Sequence, residues 1–581
     1  MITMDRKPKV FLVLLAIALF SILVSASFLP DRINQLQREV ANFQRSIDEA
    51  RLQMKRLDYD YLEGIVASLT TKLEQANELV AADEDADEAY VLVADITNFL
   101  KESVVHLHES RPIETRGMWM DNFTIDSFYT REDVAKHMDQ LKAINVNVIF
   151  PDVYGNGAAI YPSKVVPMHD RFKTVFQDED VLTVIIDEAH KRGIEVHPLV
   201  RVFALHNGVR YFVDDKVHWL DLTSENRFTL DNGYYWLSPS LPEVREYLMS
   251  FLKELTENYD IDGIHLDYIR FDDNFGYNKH TRDLFKAFNG VDPFDINSTR
   301  LADEFKYFKS EFVNSFVERV YKETKAIKPD LLISAAVASP YSWGKNDLGQ
   351  DWLSWALNRY INFMTPMSYR STADSYQSTV KSELTTVGGA TLIFTGMGVY
   401  LYDEYVLLEQ LEAGRFTNMS GQSLFSTANM KVNDYIFLQN GPYKEPAVPT
   451  FRDPQHAAGL LAKDLIARIN EFKPFFDEKA NAALDSYLAE IEDISAKIDA
   501  LELRPWDTRD LQEGSPEEVA QLEPIVEAIK ALTNRINRET SRDRLVHSKT
   551  AERLVSDLGW IDSLLKPLLF TAQPFERYQI R

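Results

Sequence analysis

The sequence predicts an α/β chain built on a (β/α)8 TIM barrel, with α-helical regions, coiled coil or bundle, at either end. Three observations predict it. Between residues 111 and 435, short runs rich in Val, Ile, Phe and Met alternate with stretches of helical periodicity. Ahead of them an apolar residue returns at every seventh position, and after a Pro-rich connection, GPYKEPAVPTFRDP, a helical pattern runs to the C-terminus. At 581 residues the chain is too long for one ordinary domain. Four segments are expected: 1–30 as a membrane anchor or signal peptide, 31–110 as helices, 111–435 as the barrel and 446–581 as a second helical region.

The N-terminus sets Arg6, Lys7 and Lys9 before an uncharged run from Val10 to Pro30. At about 20 residues that run is just long enough to span a bilayer, and the cations hold its start inside. Val24-Ser25-Ala26 offers a signal-peptidase site, the competing reading, but the apolar run continues past it, which favours a retained single-pass anchor in the cell membrane. Either reading exports the rest of the chain.

From Ile33 a heptad beat follows: Ile33, Val40, Ile47, Met54 and Tyr61 in one position, Leu36, Phe43, Ala50 and Leu57 in the other. Such a helix needs a partner. A second copy, another envelope protein, or the similar C-terminal seam of Leu484, Ile491 and Ile498 with Tyr487, Ile494 and Leu501 are the options. The acidic stretch AADEDADEAY near residue 81 reads as a solvated turn.

Composition excludes several function classes. A net charge of −26 argues against a nucleic-acid partner, whose affinity comes from clustered Lys and Arg, and favours a neutral or cationic substrate. The absence of cysteine removes disulfides, thiolate metal sites and a Cys nucleophile.

The barrel strands read ETRGMWMD, VNVIFPD, IEVHPLVR, IDGIHLDYI, LLISAAVA, INFMTPMSY, TLIFTGMGV and GQSLFST. Chemistry in such a barrel sits at the C-terminal strand ends. There the sequence puts Asp121, Asp152, Arg201 and Asp267 on the first four strands. Alternation gives Gly263, His265 and Asp267 one face of strand four, His197 and Arg201 one face of strand three, and Asp152 and Tyr154 one face of strand two. The insertion at 202–240 carries Trp219, Tyr234, Tyr235 and Trp236, as a substrate wall or as the core of a small subdomain. Carboxylates converging in an aromatic cleft suit glycoside hydrolysis, which needs one carboxyl to protonate the leaving oxygen and a second to attack or to activate water. Each residue also has a plainer role: Asp267 as acceptor from Arg201 or Arg270, the histidines as core groups, Trp119 as a floor plug. No HExxH spacing or EF-hand loop points to a metal, and no cofactor is needed.

The segments RGMWMDN, YPSK (161–164), EAHKRGIEVHP (188–198), WLSPSLPEVREYL (236–248) and DGIHLDYIRF (262–271), in this order, resemble the glycosyl-hydrolase-like 10 family, the DUF187 group. The resemblance implies an exported bacterial (β/α)8 barrel acting on a polysaccharide or oligosaccharide, with members linked to peptidoglycan strands. By position Asp267 matches the aspartate ending the family's fourth strand, and Asp152 falls in the polar end of its second. The large retaining clan of barrel glycosidases places glutamates after strands four and seven; here strand seven runs TGMGVYLYDE, with Asp403 and Glu404 several residues beyond it. The expected catalytic pair is therefore Asp267 and Asp152, with Asp121 and Glu404 as alternatives to the second. The expected substrate contacts are Trp119, Asp121, Tyr154, His197, Arg201, Trp236, His265, Tyr268, Arg270 and Tyr369. Two other functions compete: a non-catalytic glycan-binding scaffold with a degenerate barrel, and a metal-dependent deacetylase.

Overall fold

The computed structural model describes residues 7–82, 86–176, 179–212, 215–229, 233–506 and 515–570, with side chains from residue 29. The chain forms two compact units, residues 1–110 and 111–581.

The first unit is three helices, α1 (Lys7–Leu52), α2 (Tyr59–Ala82) and α3 (Ala86–Ser103). Ile33, Leu36, Val40, Phe43 and Ile47 of α1 are buried with Leu62, Ile65, Leu69 and Leu73 of α2 and Val93, Ile96 and Leu100 of α3. The heptad seam is thus covered from within its own unit. Removing such a side chain from water is worth about 1.5–3 kcal/mol. The seam is also shorter than its periodicity predicts. α1 ends at Leu52, Met54 takes a left-handed φ of 51° that turns the chain, and Tyr61 lies exposed on α2. The beat persists in sequence because Met54 faces the core from a turn. The expected acidic turn falls at 83–85, outside the described residues. No helix among the described residues is long and apolar enough to cross a membrane; the run expected to do so, 10–30, lies outside the described side chains up to residue 28.

In the second unit eight parallel strands close a barrel: β1 (Thr115–Met120), β2 (Val148–Gly155), β3 (Glu195–Val196 and Leu199–Arg201), β4 (Gly263–Asp267), β5 (Leu332–Val337), β6 (Phe363–Pro366), β7 (Leu392–Gly398) and β8 (Gly421–Phe425). β1 pairs with both β2 and β8, which closes the ring. All eight match the predicted runs, flanked by helices such as Arg131–Ala143, Pro242–Asn258 and Thr299–Ile327. β3 is interrupted at His197-Pro198, where proline has no amide to donate to the ladder.

The barrel interior is filled in layers. Near the floor His197, Phe363, Phe394 and Phe451 meet ring to ring, at centroid distances from 4.7 to 5.9 Å. Phe451 comes from the connection after the eighth strand and is fully buried. Gly263 makes room for His197: a Cβ there would stand 2.3 Å from its Nδ1. Four long helices, Pro454–Phe472, Glu478–Asp499, Pro516–Asp543 and Ser548–Leu569, complete the unit. Trp560 on the last donates its indole N–H to the Arg415 carbonyl at 2.8 Å, docking it on the barrel.

Candidate active site

The middle barrel layer is polar but satisfied. Trp119 Nε1 donates to His265 Nε2 at 3.2 Å, and His265 Nδ1 meets Ser334 Oγ at 2.9 Å. Indole nitrogen only donates, so Nε2 is the bare nitrogen and Nδ1 carries the proton. Burial holds His265 well below the usual imidazole range, in keeping with a neutral ring. Phe150 packs on it at 4.2 Å. Trp119, His265 and His197 are all core residues, 0–2% exposed. As expected substrate contacts these three are corrected: they support the layer above from within the barrel.

Above them, Arg201 and Asp267 lie side by side in the β3–β4 ladder. Arg201 turns to β2, its Nη2 2.5 Å from Asp152 Oδ2 and 3.1 Å from Asn122 Oδ1. The ion pair is close but poorly aligned for hydrogen bonding, and neither buried Asp152 oxygen has a well-formed bond. Burial therefore outweighs the guanidinium, and the Asp152 carboxyl is raised above its ordinary range. Arg270 turns away as well, to Asp272 Oδ1 at 2.8 Å.

Asp267 is thus bypassed by both arginines. Among the described residues its carboxylate accepts only from the Tyr268 amide, at 2.7 Å, and enters no ion pair. It keeps partial solvent access. Burial among protein atoms pushes its pKa up to about 6, against the lowering by Arg201, the Tyr268 amide and Arg270 and with help from Asp152. Tyr369, beyond β6, stands next to it; burial and the Asp267 charge push that phenol well above its usual range. The glycines of β7 make this possible. A Cβ on Gly396 would lie 3.1 Å from Trp119 and 3.2 Å from Tyr369, and one on Gly398 3.2 Å from Tyr369. Where the large retaining clan has a carboxylate, this barrel has space for a tyrosine.

Two bulky residues at the mouth have left-handed backbones, Tyr268 at φ 48° and His206 at φ 43°. Such conformations are costly outside glycine and cluster at functional sites. His206, absent from the sequence-based candidates, lies 3.4 Å from Arg201, stacks on Tyr234 at 4.3 Å and meets Tyr268 edge-on at 5.0 Å. Burial, reinforced by Arg201, lowers its pKa to about 4. Only its place in the aromatic insertion hinted at it.

Other candidates are placed elsewhere. Tyr154 is buried against Phe251 of the outer helix layer, 4.8 Å away, because a register irregularity between Asp152 and Tyr154 breaks the expected alternation. Trp236 is buried too, donating to the Arg270 carbonyl at 3.0 Å with its ring beside Tyr268; it is insertion core, not an open wall. Arg270 lies over both of these rings. Asp121 caps the turn 122–125 through the Thr124 amide and accepts from Ser426, so both its oxygens are engaged. Beyond β7, Asp403 caps the helix Glu404–Arg415 and Glu404 accepts from Asn433 at 2.9 Å.

The profile described as Glycosyl hydrolase-like 10 matches residues 114–404. The chain is 25% identical to glycosyl hydrolase DigH of Escherichia coli strain K12 over 240 residues, covering 37% of this chain and 49% of DigH. It is 23% identical to glycosyl hydrolase YngK of Bacillus subtilis strain 168 over 214 residues, covering 34% of this chain and 38% of YngK. It therefore spans about half the length, or less, of these curated relatives. Among solved structures, the glycoside hydrolase domain of PgaB (BpsB) from Bordetella bronchiseptica aligns with a TM-score of 0.44 and 11% identity, over 56% of this chain and 95% of that one. With the matched segment taking in half of the 581 residues and every strand from β1 to β7, the chain belongs to the glycosyl hydrolase-like 10 family.

Proposed function

We propose that this protein hydrolyses glycosidic bonds in a β-linked cell-wall glycan or exopolysaccharide, with Asp267 as the nucleophile or general base. One observation carries the reading: at the open end of β4 stands a carboxyl that both neighbouring arginines leave unpaired. A pKa of about 6 leaves it mostly ionised at neutral pH while keeping it a useful base. Asp152 is its partner. Burial favours the protonated form of that side chain, as a general acid requires, and Arg201 fixes its position. Arg201, Tyr268, Arg270 and Tyr369 are the side chains around the pair that orient or touch the sugar. Membership of the family and the names of the relatives support a glycoside as substrate; the charge of −26 disfavours an anionic one. The N-terminal cations and the uncharged run behind them support action outside the cytoplasm, either tethered or released after cleavage near Ala26.

The test is release of reducing ends from purified glycan strands by the full chain and by its Asp267→Asn variant. Turnover lower by roughly 100- to 10,000-fold in the variant is expected; equal turnover would remove Asp267 from the mechanism. Activity should also fall as the pH drops through about 6, where Asp267 takes up its proton. A second reading, glycan binding without cleavage, draws on the pinning of Asp152 by Arg201 and the glycines at the end of β7. Binding by both chains with cleavage by neither would favour it.

A further inference from the structure

The barrel mouth is divided. Asp152, Arg201, Asp267 and Arg270 belong to β2, β3 and β4 and the turn beyond β4. In the neighbouring arc, which runs in order through β5, β6, β7, β8 and back to β1, the segments that follow β1, β5 and β7 carry exposed rings instead. Trp343 follows β5 and is 44% exposed; Tyr400 follows β7 and is 49% exposed; Phe123 follows β1 and is 75% exposed. Half-buried Tyr369, following β6, lies within the same arc, meets Tyr400 edge-on at 6.1 Å and feels the Asp267 charge, and so connects Tyr400 to Asp267.

Resting on the reading of Asp267 as the site of hydrolysis, we propose that Trp343, Tyr400 and Phe123 are sugar-stacking subsites along this arc, so that the protein grips several consecutive uncharged residues of a glycan chain. An aromatic face is apolar and flat, and matches the C–H face of a pyranose ring. Rings presented singly on separate loops suit a string of sugars better than a protein surface, which calls for a contiguous apolar patch. The net negative charge of the chain points to uncharged rather than anionic sugars.

The experiment uses the full-length Asp267→Asn variant, to stop turnover, and titrates it calorimetrically with the dimer, tetramer and hexamer of β-1,4-linked N-acetylglucosamine. Affinity should rise with length, by roughly tenfold or more from dimer to hexamer. Adding Trp343→Ala or Tyr400→Ala should weaken the hexamer by roughly threefold to tenfold per ring while leaving the dimer unchanged. Trp343→Phe should restore most of the loss, which separates stacking from misfolding. No binding, equal affinity for dimer and hexamer, or hexamer affinity indifferent to both alanines overturns the proposal. If the wild-type chain cleaves nothing while the variant binds with this length dependence, the hydrolase reading fails and the subsites stand.

Discussion

Replacing Arg201 with Met tests the electrostatic logic of the mouth. The guanidinium sits 2.5 Å from an Asp152 carboxylate that is only 4% exposed and whose oxygens have no well-formed hydrogen bond. Removing one partner of a buried pair strands the other charge, at a cost of about 3–5 kcal/mol. Asp152→Asn should cost less, about 1–3 kcal/mol, because Arg201 keeps Asn122 and His206 as neighbours. The double variant should then be more stable than the sum of the single effects implies, by about 1–3 kcal/mol. All eight tryptophans lie beyond residue 110, so urea unfolding followed by tryptophan fluorescence reports on the barrel unit. The loss in Arg201→Met should shrink at pH 5, since a carboxyl raised by burial can relieve the stranded charge by binding a proton. Arg201 also lowers the Asp267 pKa, so its removal should move the acid limb of activity above about 6. Additive single effects, within about 0.5 kcal/mol, together with an unmoved acid limb would refute the reasoning.

Three further outcomes are expected. Gly263→Ala puts a methyl group 2.3 Å from His197 Nδ1 and should destabilise by about 1–3 kcal/mol, read in the same unfolding assay. His190 bonds Asp262 at 2.7 Å beneath β4, and that contact raises its pKa. Its contribution is present below the unfolded value of about 6.5 and is lost as pH rises through the higher folded value, so His190→Gln should lower Tm more at pH 6 than at pH 9. Glu383, buried and bonded by Ser368 at 2.7 Å, has its pKa pushed up to about 7 by burial. A carboxyl raised in the fold penalises it progressively as pH climbs from the ordinary carboxylate value of about 4.5 to about 7, with the full penalty present above that, so Glu383→Gln should raise Tm more at pH 8 than at pH 5. A Tm difference independent of pH in either variant would show that the named group does not titrate as described.

The barrel was legible because each strand is a short, largely apolar run, and because helices of regular period lie between them. Strand four was legible down to its faces, since unbroken alternation puts Gly263, His265 and Asp267 on one side. Tyr154 was not: the irregularity after Asp152 turns it to the outer layer, and nothing in VNVIFPDVYG marks that break. The partner of Arg201 was equally hidden: Asp267 was the expected acceptor, but Asp152 on the other flanking strand is as well placed for the guanidinium and takes it. The helical end of α1 was obscured by a methionine that keeps the heptad rhythm from inside a turn. Phe451 was missed because it lies inside the Pro-rich connection GPYKEPAVPTFRDP, where neither strand nor helix periodicity marks an inward-facing residue.

That phenylalanine has a consequence for how the molecule is made. On the ribosome, a nascent chain that has just completed its eighth stave still lacks the ring against which Phe363, Phe394 and His197 pack at the base, until residue 451 emerges. Maturation of the barrel therefore waits on residues that follow its last strand. A fragment ended between the two would leave an unfilled aromatic floor at the end opposite Asp267 and Asp152.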